Sequence, residues 1–292
     1  ATLAGESVHQ RRDAVVMFRD ERSEEYPRYS KRVIENYRAL GLGDSAIEYL
    51  DVIYGLDPDW CELFTQYIRA GMYSREVVSQ AVREICSCAT LACLDKQNQL
   101  RQHLQSGVAV GATKEQLLEA VLQSVTYGGF PAVMSSIRTY AEVFPEMVKR
   151  DRPIIPASEG EPPCGPRFGP AVETATRLWG EEHVTGMFGR YDRWDPAFSD
   201  LAQRFVHGGM YARDVVDAHL RELIAIGCLT ARNALPQLKT HLDVGFRIGI
   251  PRAEMQEIIL QQTVYVGYPY VMQAMALFEP LADTAEGKTA TT

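Results

Sequence analysis

Apolar residues recur at three- and four-residue intervals along most of this chain. In SREVVSQAVREICSCATLACL (74–94), Val77, Val78, Ala81, Val82, Ile85, Cys88, Ala89 and Ala92 fall on one broad stripe, which predicts a helix. TKEQLLEAVLQSVTYGG (113–129) places Leu117, Leu118, Val121, Leu122 and Val125 likewise, with Thr113 and Gln116 spaced as a capping box. Gly128 and Gly129 break that period, and Pro131 suits the start of the next helix. RYSKRVIENYRALG (28–41) is also helical in pattern. No alternating apolar–polar run of useful length occurs, so the expected fold is all-α.

The pattern is written twice. Laid over each other without a gap, 57–141 and 195–279 share 26 identities in 85 positions. AGMYSREVV faces GGMYARDVV, REICSCATL faces RELIAIGCL, and LRQHLQSG faces LKTHLDVG. A match of this length indicates a duplicated folding unit of five or six helices rather than a short solenoid repeat. The expected organisation is an N-terminal helical extension (1–50), repeat 1 (51–148), a Pro/Gly-rich linker (149–170), repeat 2 (171–282) and a small, polar, disordered tail (283–292).

Charge and composition narrow the class. A net charge of −8 disfavours a broad nucleic-acid surface, though local basic pockets for a small anion remain open. No apolar run approaches the roughly 20 residues that span a bilayer, and the first residues lack a secretory pattern, so a cytoplasmic protein is expected. The six cysteines form no C-x-x-C pair and read as reduced, mostly as small buried hydrophobes.

Each repeat keeps an acid and an imidazole 19 positions apart: Glu84 with His103, and Glu222 with His241. A helix, a turn and an antiparallel helix bring the ends of such a span together. Glu84 lies in an apolar stretch, and desolvation of a carboxyl beside an imidazole suits proton transfer. The same pair also serves as a hydrogen bond that merely ties two helices. Two ligands at this spacing make a poor metal site, so no metal is expected. Other shared residues are Arg83/Arg221, Gln123/Gln261, Tyr127/Tyr265 and the Gly-Met-Tyr triplets ending at Tyr73 and Tyr211. The tyrosines are open to two readings, cavity donors or core residues with wet hydroxyls. His207 and His219 occur only in the second copy, where the first has Arg69 and Ala81; His219 stands one helical turn before Glu222.

The segments from Arg83 and Arg221 through Pro131 and Pro269 resemble the carboxymuconolactone decarboxylase family, whose superfamily includes the AhpD-like proteins. The shared pattern is R-E-[IL], an apolar helix, L-[RK]-x-H, a Gly-ended loop, and L-x-Q-x-x-x-Y-x-G-x-P. It covers most of both halves. The resemblance implies helical domains that associate into homo-oligomers, here a dimer, or a trimer forming a pseudo-hexamer. The peroxidase branch resembles Glu-x11-Cys-x-x-Cys-x3-His, but Lys96, Gln99, Ala234 and Gln237 stand where its thiols would be. The thiolate being the nucleophile, disulfide-linked peroxidase chemistry is not expected.

The resemblance therefore implies a cofactor-independent lyase acting on a small lactone or keto acid. Arg83 or Arg221 would hold the carboxylate, His103 or His241 would return a proton, and Glu84 or Glu222 would orient the imidazole. Tyr127, Tyr265 and His219 complete the expected substrate-binding set. Two alternatives stay open: an isomerase, cyclase or lactone hydrolase using the same acid–base pair, and a non-catalytic ligand-binding or structural assembly.

Overall fold

The computed structural model describes residues 21–151 and 171–289. Helices dominate, and among the described residues the one β-like feature is an isolated bridge between Arg22 and Ser30. The chain divides into two compact units at Glu76/Val77. That division falls inside the first repeat rather than at any of the expected repeat boundaries.

The first unit contains α1 (Lys31–Ala39), α2 (Asp44–Leu56) and α3 (Pro58–Thr65), followed by a π-helical turn at Gln66–Gly71. Ser30 caps α1 by accepting from the Val33 amide, and Asp57 caps α3 by accepting from the Trp60 amide, with Pro58 opening the helix. Val33, Ile34, Tyr37, Ile47, Leu50 and Cys61 close its small core. Arg69 lies over the rings of Tyr37 and Tyr73.

In the second unit the first repeat contributes α4 (Gln80–Cys93), α5 (Gln97–Ala109), α6 (Lys114–Gln123), the short α7 (Val125–Gly128) and α8 (Phe130–Val143). The second contributes α9 (Ala171–Trp179), α10 (Glu181–Trp194), α11 (Pro196–Ala202), a π-helical segment (Gln203–Met210), α12 (Ala218–Ala231), α13 (Leu235–Arg247), α14 (Arg252–Gln261), α15 (Thr263–Val266) and α16 (Tyr268–Thr289). Thr113 and Gln116 make both bonds of the expected capping box. Gly129, at φ +80°, turns the chain into α8, and Pro131 occupies its first turn.

Two helices form the centre. Every residue of α4 from Arg83 onward is buried, as is every residue of α12 from Arg221 onward. Such helices are apolar nearly all round, so each is covered on all sides. They pack on each other, while α5 and α13 pack on them from outside.

Charged residues then tie the repeats crosswise. Arg83 donates to Glu257 at 2.7 Å and Gln261 at 3.2 Å, and Gln261 returns a bond to the Arg83 carbonyl. The mirror set joins Arg221 to Glu119 and Gln123, both at 3.0 Å, with Gln123 donating to the Arg221 carbonyl. Glu119 also receives Arg213 through both carboxylate oxygens. All of Arg83, Arg221, Glu119 and Glu257 are buried, where pairing offsets the cost of removing charge from water.

The C-terminal expectation needs correction. The tail expected to be disordered from 283 is helical as far as Thr289, and 290–292 lie outside the described residues. Ala282 is buried against the core and Asp283 accepts from Arg252 at 2.8 Å, so α16 is anchored where its sequence turns small and polar. Most of the expected linker, 152–170, and the first 20 residues also lie outside the described residues. No helix among those described is long and apolar enough to cross a membrane.

Candidate functional site

The 19-residue spacing folds as two acid–imidazole pairs. His103 Nδ1 lies 2.6 Å from Glu84 Oε2, and His241 Nδ1 lies 2.7 Å from Glu222 Oε2. In each case the glutamate stands one turn into a central buried helix, and the histidine comes from the helix packed outside it. In each pair the glutamate and the imidazole lie within hydrogen-bond distance, so the carboxyl fixes the orientation of the ring. The second carboxylate oxygen of each glutamate is buried and finds no hydrogen-bond partner.

The pairs are completed from the other repeat. Tyr127, from the first repeat, presents its ring 6.1 Å from that of His241, nearly perpendicular to it. Tyr265, from the second, stands 5.8 Å from His103 and donates to Ser87 Oγ at 2.6 Å. The Tyr127 and Tyr211 hydroxyls meet at 2.5 Å. Burial, reinforced by Glu222 and other neighbours, pushes both phenols above their ordinary pKa. They remain hydroxyls, able to donate, at any physiological pH.

A cavity of about 960 Å³ opens on His241 of the second pair. His241, Tyr127 and Tyr211 lie on its wall together with Trp179 and His207. The opposite wall is one face of α10: His183, Met187, Arg190, Tyr191 and Trp194 recur at helical spacing and all line the cavity. Trp179 sets its ring edge-on to both His207 (5.1 Å) and His241 (6.0 Å). His207 is buried among these rings, and burial, with His241 adding to it, lowers its pKa to about 4.

Not every expected residue reaches the cavity. Arg83 and Arg221 were expected to clamp a substrate carboxylate; both guanidiniums are instead committed to the crosswise ion pairs, and neither lines the large cavity. Arg221 borders a smaller cavity of about 370 Å³ that shares Tyr211 and touches Glu222. His219 does not join the pair: it bonds Glu254 at 2.7 Å and is partly exposed. The positive charge at the large cavity comes from Arg190 and Arg232, which the sequence reading passed over. The α10 face was legible as an aromatic stripe in HVTGMFGRYDRW, although nothing in the sequence said what it would face. Among the described residues no group of three or more His, Cys, Asp or Glu side chains is placed to hold a metal.

Comparison with known proteins agrees with the duplication. The family model described as carboxymuconolactone decarboxylase matches twice, at 58–142 and 196–280, together more than half of the chain. A 4-carboxymuconolactone decarboxylase from Acinetobacter baylyi is 29% identical over 113 residues, which is 39% of this chain and 84% of that protein. Two family matches on a single helical chain, each carrying its own Glu–His pair, place this protein in the carboxymuconolactone decarboxylase family.

Proposed function

We propose that the protein is a carboxy-lyase that needs no cofactor and acts on a small lactone acid or keto acid, with the Glu222–His241 pair moving the proton. The observation that carries this reading is the pair itself, 2.7 Å apart, with His241 on the wall of a largely apolar cavity. The name of the Acinetobacter relative supports the reaction class.

In the proposed step the bond between the carboxylate carbon and its neighbour breaks, and carbon dioxide leaves. The electron pair passes into the adjacent carbonyl system as an enolate. His241, protonated and held by Glu222, gives its Nε2 proton to the carbon and becomes neutral; solvent restores it. An apolar surrounding favours loss of a charged carboxylate as a neutral gas; Tyr127 and Tyr211 line the cavity, and the outer hydroxyl of their bonded pair is the donor proposed to stabilise the enolate oxygen. The Glu84–His103 pair has the same internal geometry and is proposed to work alike.

The test is carbon dioxide release from a panel of γ-lactone acids and β-keto acids, with His103→Asn and His241→Asn measured separately. Loss of release in either variant supports the assignment; rates unchanged from the parent's in both overturn it. Solvent deuterium incorporation without carbon dioxide would replace the lyase by an isomerase or cyclase using the same pair.

Self-association is also proposed, as a dimer or a pseudo-hexameric trimer. Phe130 and Met134 in the first repeat, and Tyr268 and Met272 at the equivalent places in the second, are all more than half exposed. Molar mass by light scattering, for the parent and for Met134→Glu/Met272→Glu, decides it: a parent that runs as a monomer refutes the idea.

A further inference from the structure

The large cavity is bigger than a one-ring lactone acid requires. At about 960 Å³ it stands at the upper end of the range, roughly 300–1,000 Å³, that encloses drug-sized ligands. Its walls are also unlike those of a pocket for a small polar acid. Trp179, Tyr191 and Trp194 supply three large aromatic faces, and Met187 lies one turn before Tyr191 on the same helix. Aromatic walls with an adaptable thioether favour flat conjugated rings.

Its charge is one-signed. In a chain with net charge −8, the cavity wall contains two arginines, Arg190 and Arg232, and no aspartate or glutamate. Both arginines are exposed, which puts them at the rim. Neither makes an ion pair among the described residues. A ligand carboxylate at the rim therefore finds guanidinium groups still available.

The floor reads a different group. His207 is 4% exposed, lies on the cavity wall, and its Nδ1 has no hydrogen-bond partner. Nδ1 is closed off as the ring stands, so a ligand oxygen meets the imidazole through its other nitrogen, Nε2. Held neutral at physiological pH by burial, the imidazole suits an uncharged oxygen rather than a second anion. The first copy has no histidine at this place: the corresponding residue is Arg69, which lies over the rings of Tyr37 and Tyr73.

We infer that the second-repeat cavity takes a planar, multi-ring acid bearing a keto or hydroxyl group: the carboxylate stays at the Arg190–Arg232 rim, the rings lie along the α10 wall, and the neutral oxygen meets His207 beside His241. The inference rests on the proposed proton-transfer site only in that the reacting carbon would lie near His241; recognition by His207 and the arginines stands apart from which bond breaks.

Trp179 and Trp194 are built-in reporters. The experiment titrates the whole protein with anthraquinone-2-carboxylate, following tryptophan fluorescence and confirming stoichiometry by calorimetry. Anthracene-2-carboxylate, of similar shape without the carbonyls, and benzoate serve as comparisons. The expected result is saturable binding of the anthraquinone acid, at least tenfold tighter than either comparison. His207→Phe removes the advantage over the anthracene acid, and Arg190→Gln/Arg232→Gln weakens both three-ring acids about tenfold. Binding of the anthraquinone acid no tighter than benzoate overturns the inference, and so does equal binding of the two three-ring acids to the parent protein. The latter comparison needs no variant, so it holds even if His207→Phe fails to fold. Binding as expected without carbon dioxide release from any acid would sink the lyase reading alone; release from small lactone acids without three-ring binding would sink this one alone.

Discussion

Arg221→Met separates two uses of a buried arginine. Arg221 donates to Glu119 and Gln123, each at 3.0 Å, and to the Arg213 carbonyl at 2.8 Å. Removing one member of a buried ion pair costs about 3–5 kcal/mol, chiefly because the other charge is stranded. Glu119 keeps Arg213 on both oxygens, at 2.8 and 3.1 Å, so the lower end applies, about 3 kcal/mol. With a urea slope of about 3 kcal/mol per molar for a protein of this size, the midpoint should fall by about 1 M. The double variant Arg221→Met/Glu119→Leu removes both charges, and most of the loss should return, to within about 1 kcal/mol of the parent. Arg213 then loses its partner, but its side chain is 38% exposed and reaches water. Urea unfolding gives the stability, and anthraquinone-2-carboxylate binding gives the site. Recovery of both in the double variant is expected of a purely structural arginine. A single variant within about 1 kcal/mol of the parent would refute the reasoning from buried charge. Recovered stability with binding still lost would return Arg221 to the substrate.

Three further outcomes follow from the geometry. Tyr127→Phe strands the buried Tyr211 hydroxyl, at a cost of about 1–3 kcal/mol; by histidine NMR it should shift the His241 ring protons, while Tyr265→Phe shifts those of His103, and the reverse assignment would contradict the crossed sites. For His207 the folded pKa, about 4, lies below the unfolded value of about 6.5, so the unfolded state binds the extra proton between them. Stability should therefore fall as pH drops from about 6.5 to about 4, by about 3 kcal/mol in total, and His207→Phe should flatten that part of a calorimetric melting profile. Cys61, Cys86, Cys88, Cys93 and Cys228 are all buried, and burial pushes the Cys86 thiol up to about 12. A disulfide reagent at pH 8 should then label no more than one thiol per native chain, with the rest appearing only in denaturant.

Much of this protein is local and so could be read from its residues. The 3.6-residue period of 74–94 and 113–129 set the helices, the Thr113–Gln116 box set a helix start, and Gly129 with Pro131 set a break. The 26 identities at one constant offset established the duplication, and a repeated 19-residue interval brought Glu84 to His103 and Glu222 to His241. Each of these depends on neighbours along the chain, or on a single helix–turn–helix.

Partnership between the repeats was decided only in three dimensions. The central helices α4 and α12 are buried all round, so their sequences carry no polar face to say which neighbour lies where. Packing turned Arg83 toward Glu257 and Arg221 toward Glu119, sent Tyr127 to His241 and Tyr265 to His103, and left His219 with Glu254. The same packing set the α10 stripe against His207 and His241, and so added to the cavity a wall from 183–194 that the repeat alignment had no reason to single out. A helical period says which residues share a face; only the burial of that face against another fixes what they touch.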